Sequence, residues 1–179
     1  MGLITPPRPV KLIAGLLIFR PEENKERLFQ RLAERFGPID KATSGRGFEE
    51  TDYYEKEMGA PLMRYFIAFA RLVFPDALPD VKRATNDLEN EFSNGRGGRA
   101  VNIDPGILTL QNLVLATTKN FTHRIYLGKG IYADLTLIFQ KGAYHPLPWT
   151  YPDYRNGQTR AFFLEVRETY KDQLKGITP

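Results

Sequence analysis

The chain has 179 residues, 42% of them hydrophobic and 12% aromatic, with 25 basic and 21 acidic side chains and a formal net charge of +4. That length suits one domain, or one domain with an extension, and the apolar share is too high for a disordered chain. The lack of cysteine excludes disulfides, thiolate metal sites and a cysteine nucleophile, and a reducing cytoplasm is the expected compartment.

Val10–Phe19 is a compact apolar run without helical period, which predicts a central strand. It is too short, and too closely preceded by prolines, to read as a signal peptide. No stretch approaches the ~20 apolar residues that span a membrane, so no membrane partner is expected. Arg20-Pro21 opens a helix, with Glu22 and Glu23 suited to the positive end of its dipole. Leu28, Phe29, Leu32 and Phe36 recur at helical spacing, and Gly37-Pro38 stops the helix. Ile39–Ala42 begins a second strand, and "TSGRG" is a turn or loop. "FEETDYYEKEMG" (48–59) is the acidic segment, and Met63–Val73 a strong strand. Val81, Ala84, Leu88 and Phe92 mark a second helix that "NGRGG" ends. Ala100–Asp104 is a short strand running into Asp104-Pro105-Gly106.

The order strand, helix, strand, strand, helix, strand is the βαββαβ order of a ferredoxin-like unit, whose right-handed crossovers place both helices on one sheet face. Leu113–Thr118 follows as a strand, and His123–Leu127 with Ile131–Phe139 as a hairpin about Gly128-Lys129-Gly130. In its second arm Ile131, Ala133, Leu135, Leu137 and Phe139 alternate with Tyr132, Asp134 and Thr136, the pattern of a half-buried strand. "HPLPWTYPDYRNGQ" reads as an extended loop. Phe163, Val166, Tyr170 and Leu174 make a last amphipathic helix. The expected fold is therefore α+β in a single domain (1–179). A ferredoxin-like part (1–106) is extended by a C-terminal β-hairpin or sheet and a terminal helix (107–179).

Several chemistries lack their motif. There is no GxxxxGK[ST], HExxH, GxSxG or GxGxxG, and His123 and His145 are the only histidines. The one metal site the residues allow is a carboxylate-dominated Mg²⁺ site, with Asp104 and Asp153 as ligands.

Three segments carry the candidate chemistry. Asp104-Pro105-Gly106 suits a type II turn or a helix cap; functionally, Asp104 would leave a strand end beside Asn102, toward a ligand or metal. Lys119, Asn120, His123 and Arg124 flank a turn that is either simply solvated or an anion pocket. In the pocket reading, Arg124 grips phosphate bidentately and His123 shuttles a proton. Residues 95–133 favour the pocket, since they carry Arg96, Arg99, Lys119, Arg124 and Lys129 against the single acid Asp104. "WTYPDY" (149–154) is either a rigid cover over the core edge or a stacking wall of Trp149, Tyr151 and Tyr154, with Asp153 as hydrogen-bond partner. "ETDYYE" (50–55) adds two tyrosines among carboxylates, where a solvated surface is the plainer reading.

Together "ETDYYEKEMG", "VNIDPG", "LATTKNFTHRIYLGKGIYADLTL" and "WTYPDY" resemble the bacterial family called domain of unknown function 4416. The resemblance runs from "KLIAGLLIF" to the last helix. It implies no reaction and transfers no catalytic residue. Members are sometimes labelled GTP-binding, but the P-loop that label needs is missing here. The expected function is binding of a phosphate-bearing ligand, a nucleotide or an RNA segment. An enzymatic version would act on phosphoesters, with His123, Asp104 and Asp153 as catalytic groups. The alternative is a non-catalytic RNA-binding, assembly or protein-interaction module.

Overall fold

The computed structural model describes residues 2–177. Its strands are Val10–Phe19 (β1), Ile39–Ala42 (β2), Arg46–Gly47 (β3), Leu62–Val73 (β4), Val101–Leu108 (β5), Asn112–Thr117 (β6), Arg124–Gly128 (β7), Ile131–Gln140 (β8) and Ala143–Pro146 (β9). The helices are Pro21–Phe36 (α1), Glu55–Met58 (α2), Leu78–Glu89 (α3), Pro152–Arg155 (α4) and Gly157–Lys175 (α5). All nine strands join one open sheet in the order β2-β4-β1-β5-β6-β8-β7, with β3 on β4 and β9 on β8. Every pairing is antiparallel. The chain is thus a mixed α/β protein.

Each residue of β1 is buried, as a run apolar on both faces must be when both are covered. Pleating sends Leu12, Ala14, Leu16 and Ile18 to one side, where they meet Leu28 and Leu32 of α1 and Val81 and Leu88 of α3. Ile13 faces the other way, with Phe66 and Ala68 of β4, against Phe163, Val166 and Tyr170 of α5. The result is three layers: α1 and α3, the sheet, then α4 and α5. Lys11 is fully buried because Asp40 and Gln173 accept its ammonium group, the latter at 2.9 Å.

Four local differences from the sequence expectation matter for the site. The strand does not end at Asp104. β5 runs on through Pro105 and Gly106 to Leu108, so there is no type II turn and no helix cap. Physically, Ile103 turns its N–H and C=O away from β1, to Glu89 Oε1 (2.7 Å) and Lys82 Nζ (2.8 Å) of α3. Two residues on, Pro105 must point the same way. The ladder to β6 starts only at Gly106, so the N–H that Pro105 lacks falls where no strand is paired.

Second, Asp134 and Thr136 of β8 are buried, 5% and 1% exposed. The hairpin arm's polar face lies beneath the segment 147–155 rather than in water. Third, "HPLPWTYPDYRNGQ" is not wholly an extended loop: it begins in β9, and it contains the helix α4 and the start of α5. Fourth, "TSGRG" contributes the two-residue strand β3, which sets Arg46 directly opposite Arg64.

Candidate functional site

Two polar clusters lie on the α5 side of the sheet, and the segment 149–155 touches both. The first forms around Arg64 of β4, whose side chain is 4% exposed. Its Nη2 lies 2.5 Å from Asp153 Oδ2 and its Nη1 3.6 Å from Asp104 Oδ2. Asn102 donates to the same Asp104 oxygen at 2.9 Å, and Lys82 Nζ stands 4.0 Å from the other. Burial opposes the charge of Arg64, but Asp153 first, with Tyr154 and Asp104, raises its pKa on balance. Even so, Nε and Nη1 of Arg64 and the Tyr154 hydroxyl have no hydrogen-bond partner among the described residues. Buried polar groups are nearly always satisfied, so three orphans in one place call for an explanation. Gly15 of β1 makes room for them: a Cβ there would lie 2.6 Å from Tyr154 Oη and 2.9 Å from Arg64 Nη2.

The second cluster forms around Asp134 of β8. Arg124 Nε donates to its Oδ2 at 2.9 Å, and His123 Nε2 lies 3.3 Å from the same oxygen. Arg124 also donates to the Lys119 carbonyl (3.0 Å) and to the Tyr151 hydroxyl (3.1 Å). Burial works against its charge, while Asp134 and Tyr151 raise its pKa overall. Trp149 stacks on His123 with centroids 4.7 Å apart and planes 13° apart. The indole N–H is fixed on the Leu135 carbonyl at 2.8 Å. Phe121 meets the other edge of His123, and Lys119 Nζ bonds the Tyr53 hydroxyl while sitting 5.0 Å from its ring centroid. The rings stay largely exposed: Tyr53 is 61% exposed, Phe121 62%, Tyr151 50% and Trp149 39%. Tyr54 lies in the field of both clusters, pushed up by burial and then by Asp104, with Arg64 and Tyr151 also acting on it.

One family model matches residues 8–170, nearly the whole chain. The chain belongs to the family described as Domain of unknown function (DUF4416). No curated protein and no solved structure matches it.

In this DUF4416 protein the residues singled out from sequence divide between the clusters. Asn102, Asp104, Asp153 and Tyr154 gather at Arg64; Lys119, His123, Arg124, Trp149 and Tyr151 gather at Asp134. Asn120 stands exposed on the turn. Through the register Gly106↔Leu115↔Asp134, Asp104 and Asp134 sit two strands and two residues apart, about 12 Å at Cα. A single reacting atom therefore does not meet His123 and the two aspartates together. Asp104 and Asp153 converge on a guanidinium, which occupies the place a cation would take between them. No group of three metal-ligating side chains occurs among the described residues. No helix there is long and apolar enough to cross a membrane.

The sequence reading passed over Arg64 and Asp134, and both had a signal. Each is a lone charge inside an apolar strand, in "MRYFIAFA" and "IYADLTLIF". Such a charge is buried only if something pairs with it.

Proposed function

We propose that this protein binds a phosphate-bearing ligand with a flat base, a nucleotide or an RNA segment, on the aromatic surface around Trp149. One observation carries the reading: the indole is immobilised by His123 below and the Leu135 carbonyl at its edge, yet left open to solvent. A ring already held in place binds a base at reduced entropic cost. Stacking is worth about 1–3 kcal/mol per base. Lys119 supplies positive charge beside the rings, with two of its ammonium protons uncommitted. Arg124 holds the platform together rather than gripping phosphate, because three of its five donors are spent internally. In the phosphoester-cleaving version His123 is the acid or base and Asp134 orients it.

Trp149 is the only tryptophan, so its fluorescence reports the site directly. Titration with nucleoside monophosphates and a short single-stranded RNA should quench it saturably, and ribose 5-phosphate should not. Lys119→Ala should weaken binding and flatten its salt dependence. Absence of quenching by every base-bearing ligand would reject the proposal.

A second reading has its own support. β7 is an edge strand, and Ile125, Tyr126 and Leu127 are 71%, 59% and 40% exposed. An unguarded apolar edge suits an assembly or protein-interaction role, and sedimentation of parent and Ile125→Lys would test it. At the level of fold, the order β2-β4-β1-β5 with α1 and α3 on one face supports reading 1–106 as a ferredoxin-like unit in a single domain.

A further inference from the structure

A cavity of about 230 Å³ opens on the far side of Arg64 from Asp104. It is bounded by the loop 43–46, by Arg64 and Phe66 of β4, and by Gln158 and Thr159 in the first turn of α5. Arg46 and Arg64 both line it, side by side in direct register on neighbouring strands. Two like charges so placed repel one another and weaken the pairing. Arg46 has Glu50 close by at 2.5 Å, and Arg64 has Asp153 at 2.5 Å and Asp104 at 3.6 Å. Those carboxylates offset charge but leave donors over. Nη2 of Arg46 is the atom beside Glu50 and Nη1 of Arg64 the one turned to Asp104, but Nε of each arginine is buried without a hydrogen-bond partner among the described residues.

The third wall adds to this. α5 is 19 residues long, its first turn holds no acid, and its positive end is presented to the cavity. Thr43, Ser44 and Thr159 also border the space.

We propose that this cavity is a binding site for a compact phosphate monoester, its phosphate seated between Arg46 and Arg64 at the start of α5. Two unpartnered Nε–H donors beside a helix N-terminus suit an oxyanion, and Arg forks are suited to phosphate oxygens. The volume is below the ~300–1,000 Å³ of sites for drug-sized ligands, so the ligand is small and not a whole nucleotide. The site is separate from the aromatic surface, since β1, β5 and β6 lie between β4 and β8. It stands whether or not Trp149 binds a base.

Isothermal titration of the full chain with inorganic phosphate and with glycerol 3-phosphate, in chloride-matched buffer, should give saturable one-site binding. Trp149 fluorescence should stay unchanged. Succinate, at the same ionic strength, should not bind. Gln158→Glu places a carboxylate at the mouth from an exposed position. It should weaken phosphate binding at least tenfold without lowering the melting temperature, because an acid in a helix's first turn is favoured. Arg64→Lys keeps the charge but loses the fork, and should weaken binding similarly; if it fails to fold, Gln158→Glu alone decides. No saturable phosphate heat, undiminished binding by Gln158→Glu, or succinate binding as tight as phosphate would each overturn the proposal.

Discussion

Asp134→Ala is the sharpest test of how the aromatic surface is held in place. Asp134 and Arg124 have side chains only 7% and 9% exposed, so solvent screens their attraction little. Removing the carboxylate leaves a buried guanidinium and a histidine without their acceptor. Breaking a buried pair from one side costs about 3–5 kcal/mol. For a chain of this length each kcal/mol moves the melting temperature by about 2–4 °C, so the expected fall is about 10 °C. Urea melts followed by both Trp149 fluorescence and far-ultraviolet circular dichroism measure the loss, and agreement of the two probes licenses a two-state free energy. A cycle with Arg124→Ala and the double variant should return a coupling of about 1–3 kcal/mol, the double variant costing less than the two single ones added. A loss below about 1 kcal/mol, or a coupling below about 0.5 kcal/mol, would refute the view that this pair anchors the surface.

Three more outcomes follow from the packing. Gly15→Ala drives a methyl into Tyr154 and Arg64 and should cost about 1–3 kcal/mol as overpacking, read as a lower urea midpoint. Glu89→Ala strips the Ile103 N–H of its acceptor and leaves Arg99 with Glu57 alone, and should lower stability by about 3 kcal/mol, whereas Glu91→Ala at the exposed Arg31 pair should cost well under 1 kcal/mol. Burial raises the phenol pKa of Tyr144 and of Tyr154 above 10. Below pH 10 both states keep these protons and nothing is lost; above it the unfolded chain releases them while the fold does not. Stability should therefore fall as pH rises past 10, by up to about 1.4 kcal/mol per pH unit per tyrosine, and Tyr144→Phe should reduce that slope.

The main elements were legible because their signals are local. β1 is apolar at every position, Pro21 and Gly37 punctuate α1, and the spacing of Phe163, Val166, Tyr170 and Leu174 selects the buried face of α5. Asp104-Pro105-Gly106 misled for a physical reason. Its turn chemistry is sound, but α3 side chains satisfy the backbone of Ile103 and let the strand continue, a tertiary effect no dipeptide preference contains. The site was half legible for a related reason. "WTYPDY" and "TKNFTHR" advertise themselves by composition. Arg64 and Asp134, around which they assemble, are single letters in apolar strands. Only sheet register shows that Arg46 stands opposite Arg64.

The short ladder between β5 and β6 has a mechanical consequence. Three residue pairs join these strands, against eight between β1 and β5 and six between β6 and β8. The sheet is thus two stiff panels meeting at a narrow hinge, one carrying Arg64 and Asp104, the other Asp134 and His123. The segment 149–155 straps the panels together, tied to one through the Leu135 and Thr136 carbonyls and to the other through Asp153 on Arg64. Rotation of one panel against the other would therefore load those seven residues together with the core that α5 packs across both panels, so flexing of the sheet is felt where the aromatic rings are displayed.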